Sequence, residues 1–409
     1  MLAVSMPAEH VNDSNSWSKM LLVAVMVSTM ALGAFPIVGT AVVATFLARD
    51  LGMSLTLFGA GVAVNTLFGA VFAPLSGQIS DRHGGKWSCV LVLTSAGIGL
   101  IIVAFATSPV GLVLGLLVSS YGQGACNPAT NKLVAERAAP GRRGTLTGIK
   151  QSGVQLGILM GGFTLPTLTI WFNWRIAIGL YGVIALFAAL GTSAALPDSR
   201  PLSSFTDAAS KPEMVARLPR AVILLTLYAL CMGCIVGGVG RYLVLFAENS
   251  LSMSNVQAGV VAGLPGGLAI GTRILWAHLA EHRILPAAAL AIQAFITSLV
   301  MLMLWVAIAV GSWIMWPMAV LSAIGLNAWN AVAMLSVIIS VPPEMSGRAS
   351  GRVVMGFMAG LTVGGFFTGL LADVLASYSA AWGSMFGLSV VATFLALRSV
   401  GEERRPSGN

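Results

Sequence analysis

The chain alternates between long apolar stretches and short polar connections. Twelve apolar stretches can be marked, each close to or above the ~20 residues that an α-helix needs to cross a bilayer. Their approximate bounds are 19–48, 54–79, 87–107, 109–135, 144–170, 175–196, 218–247, 254–280, 284–310, 312–341, 346–376 and 379–399. Only one connection, 197–217, is both long and polar. The pattern predicts an all-α integral membrane protein with twelve transmembrane spans.

The glycine-rich segment Gly144–Phe163 returns near the other end of the chain. A shift of 203 residues superimposes Gly144, Gly148, Gly153, Gly157, Gly161, Gly162 and Phe163 on Gly347, Gly351, Gly356, Gly360, Gly364, Gly365 and Phe366. Repeated identity at a fixed offset indicates a duplicated unit. We therefore predict two pseudo-symmetric six-helix halves, 19–196 and 218–399, joined by a cytoplasmic linker at 197–217 and flanked by cytoplasmic tails at 1–18 and 400–409.

Composition and charge agree with a membrane protein and set its orientation. Hydrophobic residues make up 57% of the chain and charged residues 9%, and the net charge is +8. Basic loops stay in the cytoplasm, so both termini are expected there, with the protein in the cytoplasmic (inner) membrane. The basic residues that carry this argument lie at even-numbered connections and in the C-terminal tail: Arg82, Lys86, Arg137, Arg142, Arg143, Arg200, Lys211, Arg217, Arg283, Arg348, Arg404 and Arg405.

The second connection reads GQISDRHGGK from Gly77 to Lys86. It resembles the G-x-x-x-D-R-x-G-[RK]-[RK] loop of the major facilitator superfamily, a likeness that the twelve spans and the duplication extend over the whole chain. The resemblance implies the twelve-helix fold of that family, in which this loop joins the two halves and governs their switching. A shift of 200 residues places Glu281 on Asp81, which indicates a degenerate second copy. The gating residues implied are Gly77, Asp81, Arg82, Gly85 and Lys86.

The resemblance also implies that spans 1, 4, 7 and 10 line a central cavity, while spans 2, 5, 8 and 11 form the seam between the halves. Glycine ladders with a period of four agree with this arrangement, because small residues let helices approach closely in lipid. We therefore expect the ladders to lie in the seam. They are Gly153, Gly157 and Gly161; Gly259, Gly263, Gly267 and Gly271; and Gly356, Gly360 and Gly364.

Basic residues inside the spans are candidate binding residues, since an ionisable side chain is costly within a membrane. The three candidates are Lys150, Arg241 and Arg273. Neither Lys150 nor Arg273 has an acidic residue one helical turn away. Snorkelling of the long side chain to the membrane interface is the alternative for each of them. For Arg352, close to the start of span 11, snorkelling is the preferred interpretation.

The eighth span reads RILWAHLAE from Arg273 to Glu281. It resembles the G-R-x-x-W-G-x-x-x-D helix of the oxalate/formate antiporter and monocarboxylate porter branches, from which Thr272, Ala277 and Glu281 depart. In those branches the arginine binds the substrate carboxylate, so the resemblance implies the same role for Arg273. A guanidinium group suits that role because it offers parallel donors to a planar anion.

Amide side chains at helical spacing can complete a binding site. The candidates are Gln123, Asn127, Gln151, Gln155, Asn327 and Asn330. The 203-residue shift superimposes Asn127 on Asn330, and symmetric amides suit a substrate bound near the midplane. Interhelical hydrogen bonds without any substrate would explain these residues nearly as well.

Together these features predict a secondary active transporter of a small organic anion, by preference a carboxylate, that works by alternating access as a functional monomer. An anion would relieve the cost of two buried positive charges. The coupling ion, a proton or a counter-anion, stays open, and neither a cofactor nor a metal is expected.

A proton-coupled multidrug exporter of the same superfamily is the alternative, although no acidic residue lies deep in a span. A ligand sensor would need an output domain longer than the linker or the tails. An enzyme would need clustered acidic or histidine residues, whereas His10, His83, His278 and His282 are scattered. Nucleic acid is not an expected partner, because the basic residues lie in particular loops.

Overall fold

The computed structural model describes residues 10–198, 218–375 and 377–403. Most of the predicted linker, and parts of both predicted tails, lie outside these residues. All regular structure in the described ranges is helical. The helices are α1 (His10–Val42), α2 (Ala44–Asp50), α3 (Leu55–Ala104), α4 (Pro109–Arg137), α5 (Arg143–Trp171), α6 (Trp174–Ala195), α7 (Arg220–Leu251), α8 (Asn255–His282), α9 (Pro286–Val310), α10 (Met315–Ile324), α11 (Trp329–Ser340), α12 (Ser346–Leu375) and α13 (Ser379–Glu403).

The helices confirm the predicted all-α membrane fold. In the described part of the chain, 11 helical segments are long and apolar enough to cross a membrane. One of them, Thr56–Ala104, has 49 residues and contains two predicted spans. The chain turns between these two spans at Gly84, whose φ of 81° lies in the left-handed region that glycine adopts without a steric penalty.

The predicted tenth span is not one continuous helix. It divides into α10 and α11, with a four-residue interruption at 325–328. Asn327 stabilises the interruption, since its Nδ2 donates to the carbonyl oxygen of Ser322 at 3.2 Å and to the Ser322 hydroxyl at 3.1 Å. Irregular backbone at membrane depth is tolerated where protein groups satisfy its polar atoms. The predicted span over 312–341 is confirmed as the membrane-crossing segment Ser312–Ser340, and the interruption lies inside it.

Each half has its own apolar core, and the outer surface is apolar as well. In the N-terminal half, the rings of Phe35 and Tyr181 stack with centroids 4.0 Å apart. In the C-terminal half, Phe246 meets Trp382 edge to face at 5.4 Å. Phe163 is among the large apolar side chains on the outside, at 78% exposure, as expected for a surface that lipid covers.

The two ends of the bundle differ in charge. We call the end that holds Gly84, the starts of α5 and α12, and the end of α8 the basic face, and the other end the opposite face. On the opposite face, Asp50 accepts hydrogen bonds from Arg175 and, at 3.0 Å, from Trp174 Nε1. The hydrogen bond from Arg175 is the main reason that the pKa of Asp50 lies below its ordinary value. These contacts stay within the N-terminal half.

Candidate functional site

Two carboxylates close the basic face by capping helices of the opposite half. Asp81, on the second connection, accepts hydrogen bonds from the backbone N–H groups of Gly347 at 2.8 Å and Arg348 at 2.9 Å, at the start of α12. Glu281, at the end of α8, accepts from the backbone N–H groups of Arg143 at 2.9 Å and Gly144 at 2.7 Å, at the start of α5. We call these contacts the first and second latch.

Each latch places a negative charge where a helix is partly positive. The first N–H groups of a helix have no partner within the helix, and they form the positive end of its dipole. The side chains of Asp81 and Glu281 retain only 8% and 9% of their exposure, so solvent screens these charges weakly. The first latch also includes the Arg348 side chain, whose Nε lies 3.3 Å from Asp81. Asp81 and Glu281 therefore play equivalent parts in the two halves, as the 200-residue offset indicates.

Lys132 of α4 adds a further contact that sequence reasoning missed. Its Nζ donates to the carbonyl oxygen of Pro343 at 2.8 Å and lies 3.9 Å from Asp81, so it reaches from the N-terminal half to the chain before α12. Beside it, Asn131 Nδ2 donates to the Ser350 hydroxyl at 2.7 Å. The sequence shows Asn131 and Lys132 side by side near the basic end of an apolar span. The same pattern is typical of a basic residue that only faces the cytoplasmic loop, so it does not single out a contact between the halves.

The remaining residues of the predicted gating loop hold the loop within its own half. The backbone N–H of Gly85 donates to Glu136 Oε2 at 3.1 Å. Lys86 donates to Asp198 at 2.8 Å, and this bond lowers the pKa of the Asp198 carboxyl. Arg82, in contrast, has no hydrogen-bond or ion-pair partner among the described residues and lines a cavity at the basic face.

Glycines let the halves meet closely near the basic face. A Cβ atom on Gly77 would overlap the carbonyl oxygen of Gly347, and one on Gly144 would overlap the carbonyl oxygen of Ala277. A Cβ on Gly148 would stand 2.6 Å from Ile274 Cα. Because contacts under 3.0 Å are essentially never found, these positions exclude any larger side chain in the closed arrangement. The seam is therefore tight at its basic end.

The glycine ladders, in contrast, do not lie in the seam as expected. Gly153 and Gly157 of α5 meet Val27 and Ala31 of α1 in the same half. Gly356, Gly360 and Gly364 meet α7 of the same half, and Gly259, Gly263, Gly267 and Gly271 have no atom within 4 Å of a built Cβ. The ladders thus pack helices within each half or stay open, and that expectation is wrong.

A polar network crosses the seam above the latches. Lys150 is fully buried, and its Nζ donates to Asn127 Oδ1 at 3.3 Å and to Thr130 Oγ1 at 3.0 Å. Gln151 Nε2 donates to Asn127 Oδ1 at 2.6 Å and to Asn330 Oδ1 at 3.3 Å. Gln151 therefore joins the two asparagines that the internal repeat superimposes, one from each half.

Arg273 connects this network to the interrupted helix. Its Nη1 donates to the carbonyl oxygen of Gln151 at 2.6 Å, and its Nε donates to the carbonyl oxygen of Asn327 at 2.8 Å. The neighbouring Thr272 donates to the carbonyl oxygen of Ala323 at 2.8 Å. The side chains of α8 thus satisfy carbonyl groups that the interruption between α10 and α11 leaves free.

The two buried cations keep donors to spare. A guanidinium group has five N–H donors and an ammonium group has three, and the contacts above use two of each. Arg273 retains 8% exposure. In the described part of the chain, neither Lys150 nor Arg273 lies within salt-bridge distance of a carboxylate. The arrangement can accept an anion without first breaking an ion pair.

The other candidate residues are placed less centrally. Gln155 is buried one turn beyond Gln151, and its Oε1 would lie 3.8 Å from a Cβ on Gly266 of α8. The Asn327 side chain bonds to Ser322, so only its carbonyl group reaches the network.

Two candidates lie apart from the network. Gln123 faces Gly69 of α3, and its Oε1 is buried with no hydrogen-bond partner in the part of the chain that the structure describes. Arg241 is exposed and lies against Gly365 of α12.

The hydrogen bonds between the halves stop well before the opposite face. In the described ranges, the contact farthest from the basic face joins the Ser152 hydroxyl to the carbonyl oxygen of Ile270 at 3.1 Å. Ser152 lies nine residues into α5, a helix of 29 residues. The halves are therefore joined at the basic face and at the network, and no hydrogen bond between described residues joins them beyond the network.

Membrane-crossing helices in two halves, latched at one face and joined by a buried polar network, fit a membrane transport protein. The sequence profile of the Major Facilitator Superfamily matches residues 20–339, and the chain belongs to this family. The fold resembles that of the human organic anion transporter MFSD10 (TETRAN), with a TM-score of 0.73, 15% identity and coverage of 92% of this chain and 99% of that one.

It also resembles the superfamily transporter FucP in the outward conformation, with a TM-score of 0.75, 16% identity and coverage of 93% and 99% of the two chains. Identities of this size show that the fold is shared and say nothing about the substrate.

Curated relatives match over shorter segments. A hexuronate transporter of Bacillus subtilis (strain 168) is 27% identical over 149 residues, which cover 36% of this chain and 35% of that protein. The sugar transporter ERD6-like 6 of Arabidopsis thaliana is 29% identical over 131 residues, covering 31% and 26%. These matches thus span about a third or less of the relatives' length. The likeness of α8 to the oxalate/formate and monocarboxylate branches stays a prediction.

Proposed function

We propose that the protein is a secondary active transporter of a small organic anion carrying a carboxylate, driven by a proton or a counter-anion. The positive-inside rule places the basic face in the cytoplasm. In that orientation the latched arrangement is an outward-open state, with the substrate entering from the opposite face. Transport then requires both latches to open while the opposite face closes. The active unit is a monomer in the cytoplasmic membrane, with both termini in the cytoplasm.

The observation that carries the proposal is the pair of buried cations. Lys150 and Arg273 come from different halves, and both connect to Gln151: Lys150 through Asn127, and Arg273 through the Gln151 carbonyl group. Burying a charge without a counter-charge is costly, and a carboxylate bound between the two would lower that cost for both. Because the cations belong to opposite halves, one bound anion would also hold the halves together.

The amide groups around the cations suggest the rest of the substrate. Asn127, Gln151 and Asn330 present both donors and acceptors, which suits hydroxyl groups as well as a carboxylate. A hydroxylated carboxylate, such as a sugar acid, would use both kinds of group. The partial match to a hexuronate transporter supports the same class, since a hexuronate is a sugar that carries a carboxylate.

A structural role for Arg273 is the competing interpretation. Its two observed hydrogen bonds go to backbone carbonyl groups, one of them in the interruption between α10 and α11. If that were its whole role, Arg273→Ala would lower the melting temperature without changing the affinity for an anion. In our proposal, the unused donors bind the substrate, so the loss of affinity exceeds any loss of stability.

Thermal-shift measurements on the purified protein test the substrate class. The panel comprises hexuronates, simple mono- and dicarboxylates, sulfonates, neutral sugars and cationic drugs. A ligand that binds only the folded protein raises the melting temperature, and at equal concentration the ligand of higher affinity raises it more. We expect stabilisation by carboxylates, greatest for the hydroxylated ones. Stabilisation by cationic drugs alone would overturn the proposal and favour the multidrug-exporter alternative.

Substitutions of the two cations test the site. Lys150→Met should weaken anion binding roughly 10- to 150-fold, because a hydrogen bond to a charged group contributes about 1.5–3 kcal/mol. It should also raise the melting temperature of the ligand-free protein, because an unpaired buried charge is removed. Lys19→Met, on an exposed lysine, is the matched control. If both quantities stay unchanged in Lys150→Met, the lysine does not bind substrate.

Arg273→Lys separates charge from geometry. A lysine keeps the positive charge but loses the pair of parallel donors. We expect both Arg273→Lys and Arg273→Ala to abolish transport in proteoliposomes, while the purified variants still elute as folded monomers. Full transport by Arg273→Lys would show that only the charge matters, and full transport by Arg273→Ala would remove this residue from the site.

A further inference from the structure

A cavity of about 1240 Å³ opens at the basic face, away from the central network. Its walls come from the first part of α3, the start of α7 and the start of α12, so it lies where the N-terminal half meets the C-terminal half. Asp81 and Arg348 of the first latch form part of its wall. The proposed substrate pathway makes no use of this cavity.

The cavity wall is strongly basic. Four arginines line it, Arg82, Arg220, Arg348 and Arg352, against the two carboxylates of Asp81 and Glu344. Arg348 is paired with Asp81. The other three arginines make no ion pair and no side-chain hydrogen bond within the described ranges. Three guanidinium groups at one opening leave many donors for an anion with several oxygen atoms.

The same cavity has an apolar side that extends along α7. Ile223 and Leu227 line it and are 55% and 45% exposed. Arg220 and Leu227 are seven residues apart, which corresponds to about 10 Å along a helix. A ligand that fits both sides therefore needs an anionic head and an apolar chain. A free inorganic anion would leave the apolar side uncovered.

We propose that this cavity binds an anionic phospholipid, with its phosphate group between Arg82, Arg220 and Arg352 and an acyl chain along Ile223 and Leu227. Basic pockets between transmembrane helices suit acidic headgroups, because attraction to the anionic surface adds to apolar contact. The headgroup would contact Arg82 of the N-terminal half as well as Arg220 and Arg352 of the C-terminal half. The bound lipid would then join the halves beside the first latch and favour the closed basic face.

Native mass spectrometry of the full-length protein tests binding, with phosphatidylglycerol and phosphatidylcholine as the two probes. Wild-type protein should retain phosphatidylglycerol in preference to phosphatidylcholine. The variant Arg220→Gln/Arg352→Gln should bind phosphatidylglycerol about thirty-fold more weakly. This follows because each basic residue near an anionic lipid contributes roughly 1 kcal/mol, and the variant lacks two of them. The control variant Arg142→Gln/Arg283→Gln removes the same charge from the same face outside the cavity, and its affinity should be close to wild type.

A second measurement follows the conformation. Spin labels at His83→Cys and Arg398→Cys, both on exposed positions of different halves, report the separation of the halves at the basic face. In nanodiscs with phosphatidylglycerol, the short-distance population should increase relative to phosphatidylcholine, and the cavity variant should lose this response.

Two results would overturn the proposal. One is an equal loss of phosphatidylglycerol in the cavity and control variants, which would show diffuse attraction to the whole face. The other is displacement of the lipid by inorganic phosphate at comparable concentration, which would identify a site for a free anion. Thermal shifts with carboxylates should be the same in the cavity variant as in wild type, so this test stands apart from that of the transported substrate.

Discussion

Removing one charge from a latch should open the basic face while the fold stays intact. The perturbations are Glu281→Gln and Asp81→Asn, which keep the shape of each side chain and remove its negative charge. In each latch the carboxylate accepts two backbone N–H bonds, at 2.9 and 2.7 Å for Glu281 and at 2.8 and 2.9 Å for Asp81. An amide offers only one accepting oxygen and places an NH₂ group against the second donor.

The size of the effect follows from the lost bond. At least one charge-assisted hydrogen bond disappears, which costs about 1.5–3 kcal/mol. Because the opened state does not contain this bond, the whole cost falls on the closed state. The ratio of closed to open molecules should therefore decrease roughly 10- to 150-fold in each variant. The latches share no partner, so the two free-energy changes should add in the double variant.

Double electron–electron resonance measures this ratio. With labels at His83→Cys and Arg398→Cys, the long-distance population should increase in each single variant and most in the double variant. The four native cysteines are buried and should label weakly. Asp50→Asn is the control, because it removes a carboxylate whose contacts lie within one half on the opposite face. Unchanged distances in both latch variants, or an equal change in the control, would refute the reasoning.

Three smaller predictions concern the seam, the interrupted helix and the opposite face. Gly148→Ala should open the basic face in the same resonance experiment, because its Cβ meets the backbone of α8, whereas Gly162→Ala has free space and should not. Asn327→Ala should lower the melting temperature, since two hydrogen bonds to Ser322, each contributing about 0.5–1.5 kcal/mol, are lost; an unchanged melting temperature would contradict this. Because the pKa of Asp50 is lowered from its ordinary value of 3.8, the Asp50 carboxylate stabilises the fold above pH 3.8, and this stabilisation is lost as the pH falls. The melting temperature of Asp50→Asn should therefore depend less on acid than that of wild type.

The fold could be predicted because the bilayer limits the possible structures so strongly. A segment in lipid has to satisfy its own backbone polar groups, so apolar stretches of the right length become helices. The glycine repeat indicated two halves, and the motif around Asp81 indicated the loop whose carboxylate caps the start of α12. The equivalence of Asp81 and Glu281 followed from the offset of 200 residues alone.

The partners of particular residues could not be predicted. A glycine indicates that another helix approaches closely, but it does not identify that helix. The ladder pattern predicted contacts across the seam, whereas Gly153 meets α1 and Gly356 meets α7, each within its own half. Gln123 lies one helical turn from Asn127 on α4, and Arg241 lies in the second half of α7, so depth along the helix separates both from the network. The interruption at 325–328 could not be predicted, because part of its stability comes from Thr272 and Arg273 on another helix.

The latches have a consequence for how the sequence can vary. Asp81 and Glu281 accept from four backbone N–H groups, those of Gly347, Arg348, Arg143 and Gly144. The side chains of Arg348 and Lys132 add contacts to Asp81. A substitution of Arg143 or Arg348 leaves the donors in place, provided that the new residue is not proline. Gly144 and Gly347 differ, because a Cβ atom on either would overlap the other half. The constraint therefore falls on one acidic position and one glycine in each half. Because the donor is the helix end itself, an aspartate serves in one half and a longer glutamate in the other, although the residues around them differ.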